Sequence, residues 1–287
     1  MKFGRKYQLS LEVAGGQNVT ISLPFSCEFV VSRNSLASAN TGFFRIYNLG
    51  KETRNLIQFD QYNVTQFRAI QFRAGYAQFT PLIFNGTIRK ACSYRNGVDM
   101  ITEIEAYDGG FQMVNGFTSM TLGSGTSAAQ VIQSLAGSLP GIGGSAIVGN
   151  FPSINLRGEV LFGNTWNLIQ QKSNGQAIID NNQVKALAQD EAIVGEIPRI
   201  DASTGLLGSP KRADAMLEFE ILFEPRLTVG QVIELKSTTN EIFNGTYKVM
   251  GFEHRGIISP SVAGDAKTSV SLWLGTQVLQ VIQGSPL

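Results

Sequence analysis

Residues 82–107 read LIFNGTIRKACSYRNGVDMITEIEAY. Two runs of strand-forming residues, 82–94 and 98–107, meet at Asn96-Gly97. Asn-Gly accepts the positive φ that both central positions of a type I′ turn require, so a hairpin is expected with Arg95, Asn96 and Gly97 at its tip. Arms of about ten residues exceed the usual five or six, so the hairpin projects beyond its sheet or wraps a barrel. The pentapeptide IFNGT at 83–87 returns at 242–246. A strand-like run precedes each copy, at 70–74 and 232–236, and one more follows, ending at Asp108-Gly109 and at Leu274-Gly275. The order of elements around the two copies agrees. One β-module present twice, with other material between, is the reading that follows.

Upstream, Tyr7, Leu9, Leu11 and Val13 alternate with polar residues, the period of a half-buried strand. Gly15-Gly16-Gln17-Asn18 turns the chain into Val19, Ile21 and Leu23, and further strands carry Cys27, Phe29 and Val31, then residues 43–47. A two-turn helix over 51–58 follows, with Asn48 or Gly50 as its cap and Leu56 and Ile57 as its apolar positions. So short a helix does not persist alone and must lie on a sheet face or close a barrel end.

Charged residues are absent from 109 to 156. Ala128, Val131, Ile132, Leu135 and Ala136 lie at helical spacing after Thr126 or Ser127, either of which suits an N-cap. A second helix fits 166–172 behind Asn164 or Thr165, and a small hairpin turns through Asp180-Asn181-Asn182. The loop from Ser203-Thr204-Gly205 to Ser209-Pro210-Lys211 ends this stretch, and strand patterns resume at Met216. The expected fold is mainly β with an α+β insertion: a first module over 1–109, a middle domain over 110–213 and a second module over 214–287.

The 23 basic and 22 acidic residues nearly cancel, unlike the strongly basic balance of a dedicated nucleic-acid binder. Only 16% of residues are charged, against about 25% in ordinary domains. That suits a surface largely covered by neighbouring chains, or an ordinary β-rich protein with many turns. The N-terminus MKFGRKYQLSLEV lacks the apolar core of a signal peptide. Cys27 and Cys92 both sit in strand-like runs and read as two core thiols rather than a disulfide.

Catalytic patterns are missing. The single histidine, His254, sits beside charged neighbours in Phe252-Glu253-His254-Arg255-Gly256 and reads as a strand-end turn or surface residue. Glu218, Glu220 and Glu224 alternate on one strand face, where a solvated face explains them more simply than a pair of catalytic acids. No metal-ligand spacing or phosphate loop is present, so no catalytic, cofactor or metal residues are assigned. Trp166 and Trp273 are the aromatics a carbohydrate site would use, but both sit in apolar contexts.

The strand FRIYNL followed by a helix with Thr53-Arg54 and Ile57 resembles the N-terminal part of baseplate hub proteins of contractile-tailed phages. Ala74-Gly75-Tyr76, the run 82–88, Asp99-Met100-Ile101-Thr102, Ala106-Tyr107-Asp108-Gly109, residues 165–169, Leu227-Thr228-Val229-Gly230, and 244–249 with His254 and Gly256 are similar to that family in the same order. The resemblance implies a homotrimer with two tail-tube-like β-domains per chain, so that a threefold assembly offers six modules to a sixfold tail tube. It implies a symmetry adaptor between the tail tube, or a tube-initiator protein, and the central spike, set among other baseplate proteins of a contractile injection system. It transfers no catalytic positions. Because the chain stops at Leu287, the spike is expected to be a separate protein. DNA would be met only in transit, with no membrane insertion by this chain, in a virion baseplate assembled in the host cytoplasm. Arg95, Asn96 and Gly97 are the candidate contact with a neighbouring ring, or a plain solvent turn. The alternative function is a tail-tip adhesin or carbohydrate-binding β-module.

Overall fold

The computed structural model describes residues 4–35, 39–60, 67–142, 146–154, 157–193, 195–275 and 280–282. The first region contains β1 (Lys6–Glu12), β2 (Asn18–Ser22), β3 (Cys27–Asn34), β4 (Thr41–Tyr47), α1 (Lys51–Ile57), β5 (Phe59–Asp60), β6 (Arg68–Gly75), β7 (Leu82–Asn96) and β8 (Asp99–Tyr107). The middle region contains α2 (Gly110–Asn115), β9 (Phe117–Leu122), α3 (Ala128–Ser138), β10 (Ile147–Val148), β11 (Glu159–Asn164), α4 (Thr165–Lys172), β12 (Ala177–Asp180), β13 (Gln183–Ala186), β14 (Glu191–Ile193) and β15 (Arg199–Ile200). The last contains β16 (Leu206–Ala213), β17 (Met216–Leu222), β18 (Val232–Leu235), β19 (Gly245–Ile258), β20 (Ala266–Trp273) and β21 (Gln280–Ile282).

One long sheet runs β16-β17-β20-β19-β3-β4-β8-β7-β6-β1-β2, so the first and last regions are joined edge to edge. Alternation decides what lies beneath it. Phe29, Phe44, Phe72 and Phe84 point inward from β3, β4, β6 and β7 and are fully buried. Phe72 meets Phe29 at 5.1 Å and Phe44 at 4.8 Å between ring centroids. Burying one such side chain contributes roughly 1.5–3 kcal/mol. A second cluster gathers Leu217, Phe219, Ile221, Ile233, Val249, Val270 and Leu272 under the last region. A third lies in the middle region around Val131, Ile132, Leu135, Ile169 and Val184.

Five antiparallel strands in the order β3-β4-β8-β7-β6 are matched by β16-β17-β20-β19-β18. The match extends to single hydrogen bonds. Tyr47 N–H donates to Ser26 O at 3.1 Å, and Leu222 N–H to Gly205 O at 2.9 Å. Asn48 to Met100 is repeated as Phe223 to Ala266, and Asp108 to Asn40 as Leu274 to Ala215. β7 bulges against β8 between Ile88 and Lys90, and β19 against β20 between Val249 and Gly251. Even an inward polar pair recurs: Ser93 Oγ and Thr102 Oγ1 are 3.0 Å apart, His254 Nδ1 and Thr268 Oγ1 2.8 Å. The β-module is present twice.

The pentapeptide, however, does not mark equivalent positions. The bulge follows Gly86 by three residues and Gly245 by five, so the two copies of IFNGT are two residues out of step. Phe84 stands where Gly245 would, and Tyr247 where Gly86 would. Gly86 has its own steric reason, since a Cβ there would overlap the Tyr107 carbonyl oxygen, whereas the nearest atom to a Cβ on Gly245 is 3.5 Å away.

Several sequence expectations are corrected. The loop expected over 203–211 overlaps β16, which runs Leu206–Ala213; Gly208-Ser209-Pro210 is a bulge inside it rather than a break. The β7–β8 turn is not type I′. Asn96 pairs with Asp99, leaving Gly97 and Val98 as loop residues, and only Gly97 has positive φ (61°), the type II′ pattern. The positive-φ pair occurs instead at Asn181 (52°) and Asn182 (61°), between β12 and β13. Ser127 caps α3 in a full capping box with Gln130, and Asn164 caps α4. No helix among the described residues is long and apolar enough to cross a membrane.

Candidate assembly interfaces

The middle region is fastened to the first module by buried charge. Arg33, on β3, is 3% exposed; it forms an ion pair with Asp180 at the end of β12 and donates to Asn181 Oδ1 at 2.6 Å and to the Ile83 carbonyl. Lys185 Nζ reaches the other oxygen of Asp180 at 2.5 Å. Asp108, fully buried just after β8, accepts from the backbone N–H groups of Asn181 at 2.5 Å and Asn182 at 3.3 Å. The left-handed pair at Asn181-Asn182 turns both N–H groups toward one carboxylate. Asn40 Nδ2 donates to Ile179 O at 2.9 Å and completes the clasp. Burial pushes the Asp108 carboxyl up to about 6 against the pull of Arg33, and lowers Lys185 to about 7 and Arg33 to about 10. Removing one member of such a cluster leaves another charge buried and uncompensated.

Several charges on the outer face of the long sheet are paired. Arg45 Nε meets Glu103 at 2.7 Å, with Glu28 3.6 Å away. Arg89 meets Glu105 at 2.9 Å, Arg255 meets Glu220 at 2.6 Å, and Lys211 meets Glu218 at 3.6 Å. Partial burial raises the Glu103 carboxyl, but hydrogen bonds from Arg45 and Tyr94 outweigh it and hold the group below its ordinary value. Glu224 does not continue the row of Glu218 and Glu220, because β17 ends at Leu222; it pairs with Arg226 at 2.8 Å.

His254 is not at a strand end. It lies inside β19, 1% exposed, with its ring 4.7 Å from Phe252 and 5.2 Å from Phe223. Burial, helped by the nearby Arg33 charge, lowers it to about 3, so the ring is neutral. Glu253 and Arg255 misled the sequence reading, since alternation turns both outward while His254 points in. Cys27 is buried, but Cys92 is a half-exposed thiol on the outer face rather than a core residue. Among the described residues no group of three His, Cys, Asp or Glu side chains is placed to hold a metal ion.

At the β7–β8 tip Arg95, Asn96 and Gly97 are all exposed, Arg95 Nε donates to Gly97 O at 3.0 Å, and Val98 is 89% exposed. The two-stranded ribbon β9–β11 carries Phe117, Val160 and Phe162 on its outer face, 61–70% exposed, with the two rings edge to face at 5.0 Å. Trp166 is buried and Trp273 half-buried. The ribbon and the clasp were not recognised from sequence. Alternation in 117–122 and 159–164 carried a signal for the ribbon. The clasp joins residues as far as 148 positions apart, and no local pattern encodes it.

The fold is similar to that of phage tail proteins and of a type VI secretion system component. A tail protein from Neisseria meningitidis MC58 matches with a TM-score of 0.61 at 9% identity, covering 94% of this chain and 97% of that one. The 43 kDa tail protein of prophage MuSo2 from Shewanella oneidensis matches at 0.58 and 8%, covering 93% and 97%. The E. coli c3393 protein, described as a component of the type VI secretion system, matches at 0.58 and 9%, covering 94% and 78%. No curated protein sequence matches. The family model described as baseplate hub gp41 matches residues 8–255, and the chain belongs to that family. Its role is that of a structural component of a phage tail baseplate.

Proposed function

We propose that this chain is the trimeric hub of its baseplate, joining a sixfold tail tube to a threefold central spike around a channel for DNA. The repeated five-strand unit carries this reading. Three chains with two such units each present six units, and a closed threefold ring of them can face a sixfold neighbour. The edge-to-edge joining of the two units through β3 and β19 supports a ring built from one continuous sheet. The ion pairs of Arg45, Arg89 and Arg255 support that face as a channel wall, because a guanidinium held by a carboxylate binds a passing phosphate less than a free one. The repeat supports a second unit that begins at Leu206 and a clasped middle region that ends near Gly205. The spike and tube are separate partners in this scheme, with assembly in the host cytoplasm.

Native mass spectrometry of the full-length chain, alone and with its tube or spike protein, tests the proposal. A mass of three chains is expected. An alternative, a carbohydrate-binding or adhesin module, draws its support from exposed Phe117 and Phe162. A persistent monomer that binds a soluble sugar would favour it over the hub.

A further inference from the structure

We infer that the ring closes between chains by repeating the seam that joins the two units within one chain, with residues 211–213 of β16 pairing antiparallel to residues 92–94 of β7 in the next copy. The inference rests on the trimeric hub reading and names the strand edges that make it.

Within the chain, β3 opens the first unit and pairs along its whole length with the distal half of β19, Cys27 opposite Ile258 through Asn34 opposite Gly251. The counterpart of β3 is β16, and that of β19 is β7. β16 lies at the end of the sheet and pairs with β17 alone among the described strands. On the edge of β7 that receives β6, pairing with β6 ends at Ile88, and among the described residues β5 pairs with Lys90 and Ala91 and no further. The edge beyond Ala91 therefore stands where β19 receives β3. Carrying the register across, Glu253–Ser32, His254–Val31 and Arg255–Val30 become Cys92–Ala213, Ser93–Arg212 and Tyr94–Lys211 of two neighbouring chains.

The seam between chains is shorter than the one within the chain, for visible reasons. β5 blocks its near end, and the Gly208-Ser209-Pro210 bulge bends β16 away at the far end. A bulge, a proline and the exposed cations Lys211 and Arg212 also keep this edge from pairing with arbitrary strands. Such a heterologous contact, used three times around an axis, gives β16 a second partner in every chain and closes the ring.

A single substitution tests the register, because one partner is a native thiol. Ser35 N–H donates to Met250 O, so Val31 and His254 form a hydrogen-bonded pair and Glu253–Ser32 a non-hydrogen-bonded one. The counterpart Cys92–Ala213 has Cα atoms about 4.5 Å apart, within disulfide range. Full-length Ala213→Cys, treated with copper phenanthroline, is expected to run as dimer and trimer on a non-reducing gel and to collapse to monomer with dithiothreitol. Wild type and the Cys92→Ser/Ala213→Cys double variant stay monomeric on the same gel. Arg212→Pro, which removes an outward N–H from an edge strand, is expected to lose the trimer mass while keeping the wild-type melting profile of the dissociated chain. If Ala213→Cys has the mass of three chains but does not cross-link, or Arg212→Pro remains trimeric, the seam is wrong and the hub reading stands. If every form keeps the mass of one chain, even with the tube protein, both fail.

Discussion

The two five-strand units, over 27–107 and 206–273, share a frame but few side chains. Thr102 and Thr268 occupy the same inward site, yet one faces Ser93 and the other His254. Gly86 is answered by Tyr247, Asp108 by Leu274, and Arg33 by Asp214 at an exposed turn. The first unit alone carries β1, β2, α1, β5 and the buried clasp. Strand order and the bulge shared by β7 and β19 are thus common to both units, while the chemistry at each site follows what that unit touches. The largest expected effect is at the clasp. Arg33→Met leaves Asp180 with Lys185 alone and should cost about 3–5 kcal/mol in urea unfolding, whereas Asp214→Gly, at the equivalent place in the second unit, should stay within about 0.5 kcal/mol. Equal costs would mean that the ion pair does not distinguish the units.

The inward polar pair offers the next largest difference, as a pH dependence. The folded pKa of His254 is about 3, below its ordinary 6.5. Between these values the unfolded chain holds the proton and the folded chain does not, so this group's contribution to stability falls as pH falls, by about 1.4 kcal/mol per unit at its steepest. Asp108, raised to about 6, works in the opposite direction but is common to wild type and variant. His254→Gln should therefore gain on wild type steadily between pH 6 and pH 4 in matched denaturation curves. Ser93→Gln, in the equivalent place, should show no such drift.

How much of this was legible depends on whether the cause is local. Alternation shows the strands of both units except β16, with Asp108 and Leu274 as the unit ends; these are equivalent positions. The helix caps Ser127 and Asn164 were within the options the sequence left open. β16 was missed because a bulged edge strand uses loop residues, Gly208-Ser209-Pro210. α2, six residues behind a left-handed Gly109, has too few positions to show a period. IFNGT pointed to a true repeat through a false alignment, since an Asn-Gly step serves several local geometries. Its two glycines should separate on mutation: Gly86→Ala crowds the Tyr107 carbonyl and should cost about 1–3 kcal/mol, while Gly245→Ala has room and should cost no more than about 0.5 kcal/mol. Equal melting temperatures would restore the two peptides to equivalence.

The smallest expected effect on stability falls on the outer face, where the comparison turns on function. Arg45 and Glu220 hold equivalent positions with opposite charge, and each unit neutralises its arginine with its own carboxylate, Glu103 for Arg45 and Glu220 for Arg255. These pairs are exposed enough that each is worth about 0–1 kcal/mol, so Glu103→Gln and Glu220→Gln should barely move the melting curve. What they change is the freedom of two guanidinium groups to meet phosphate. If this face lines the DNA path, the double variant should bind a duplex that wild type does not, and the binding should weaken steeply with added salt. A variant that gains no duplex affinity at low salt would mean that Glu103 and Glu220 are not what keeps the face from holding DNA.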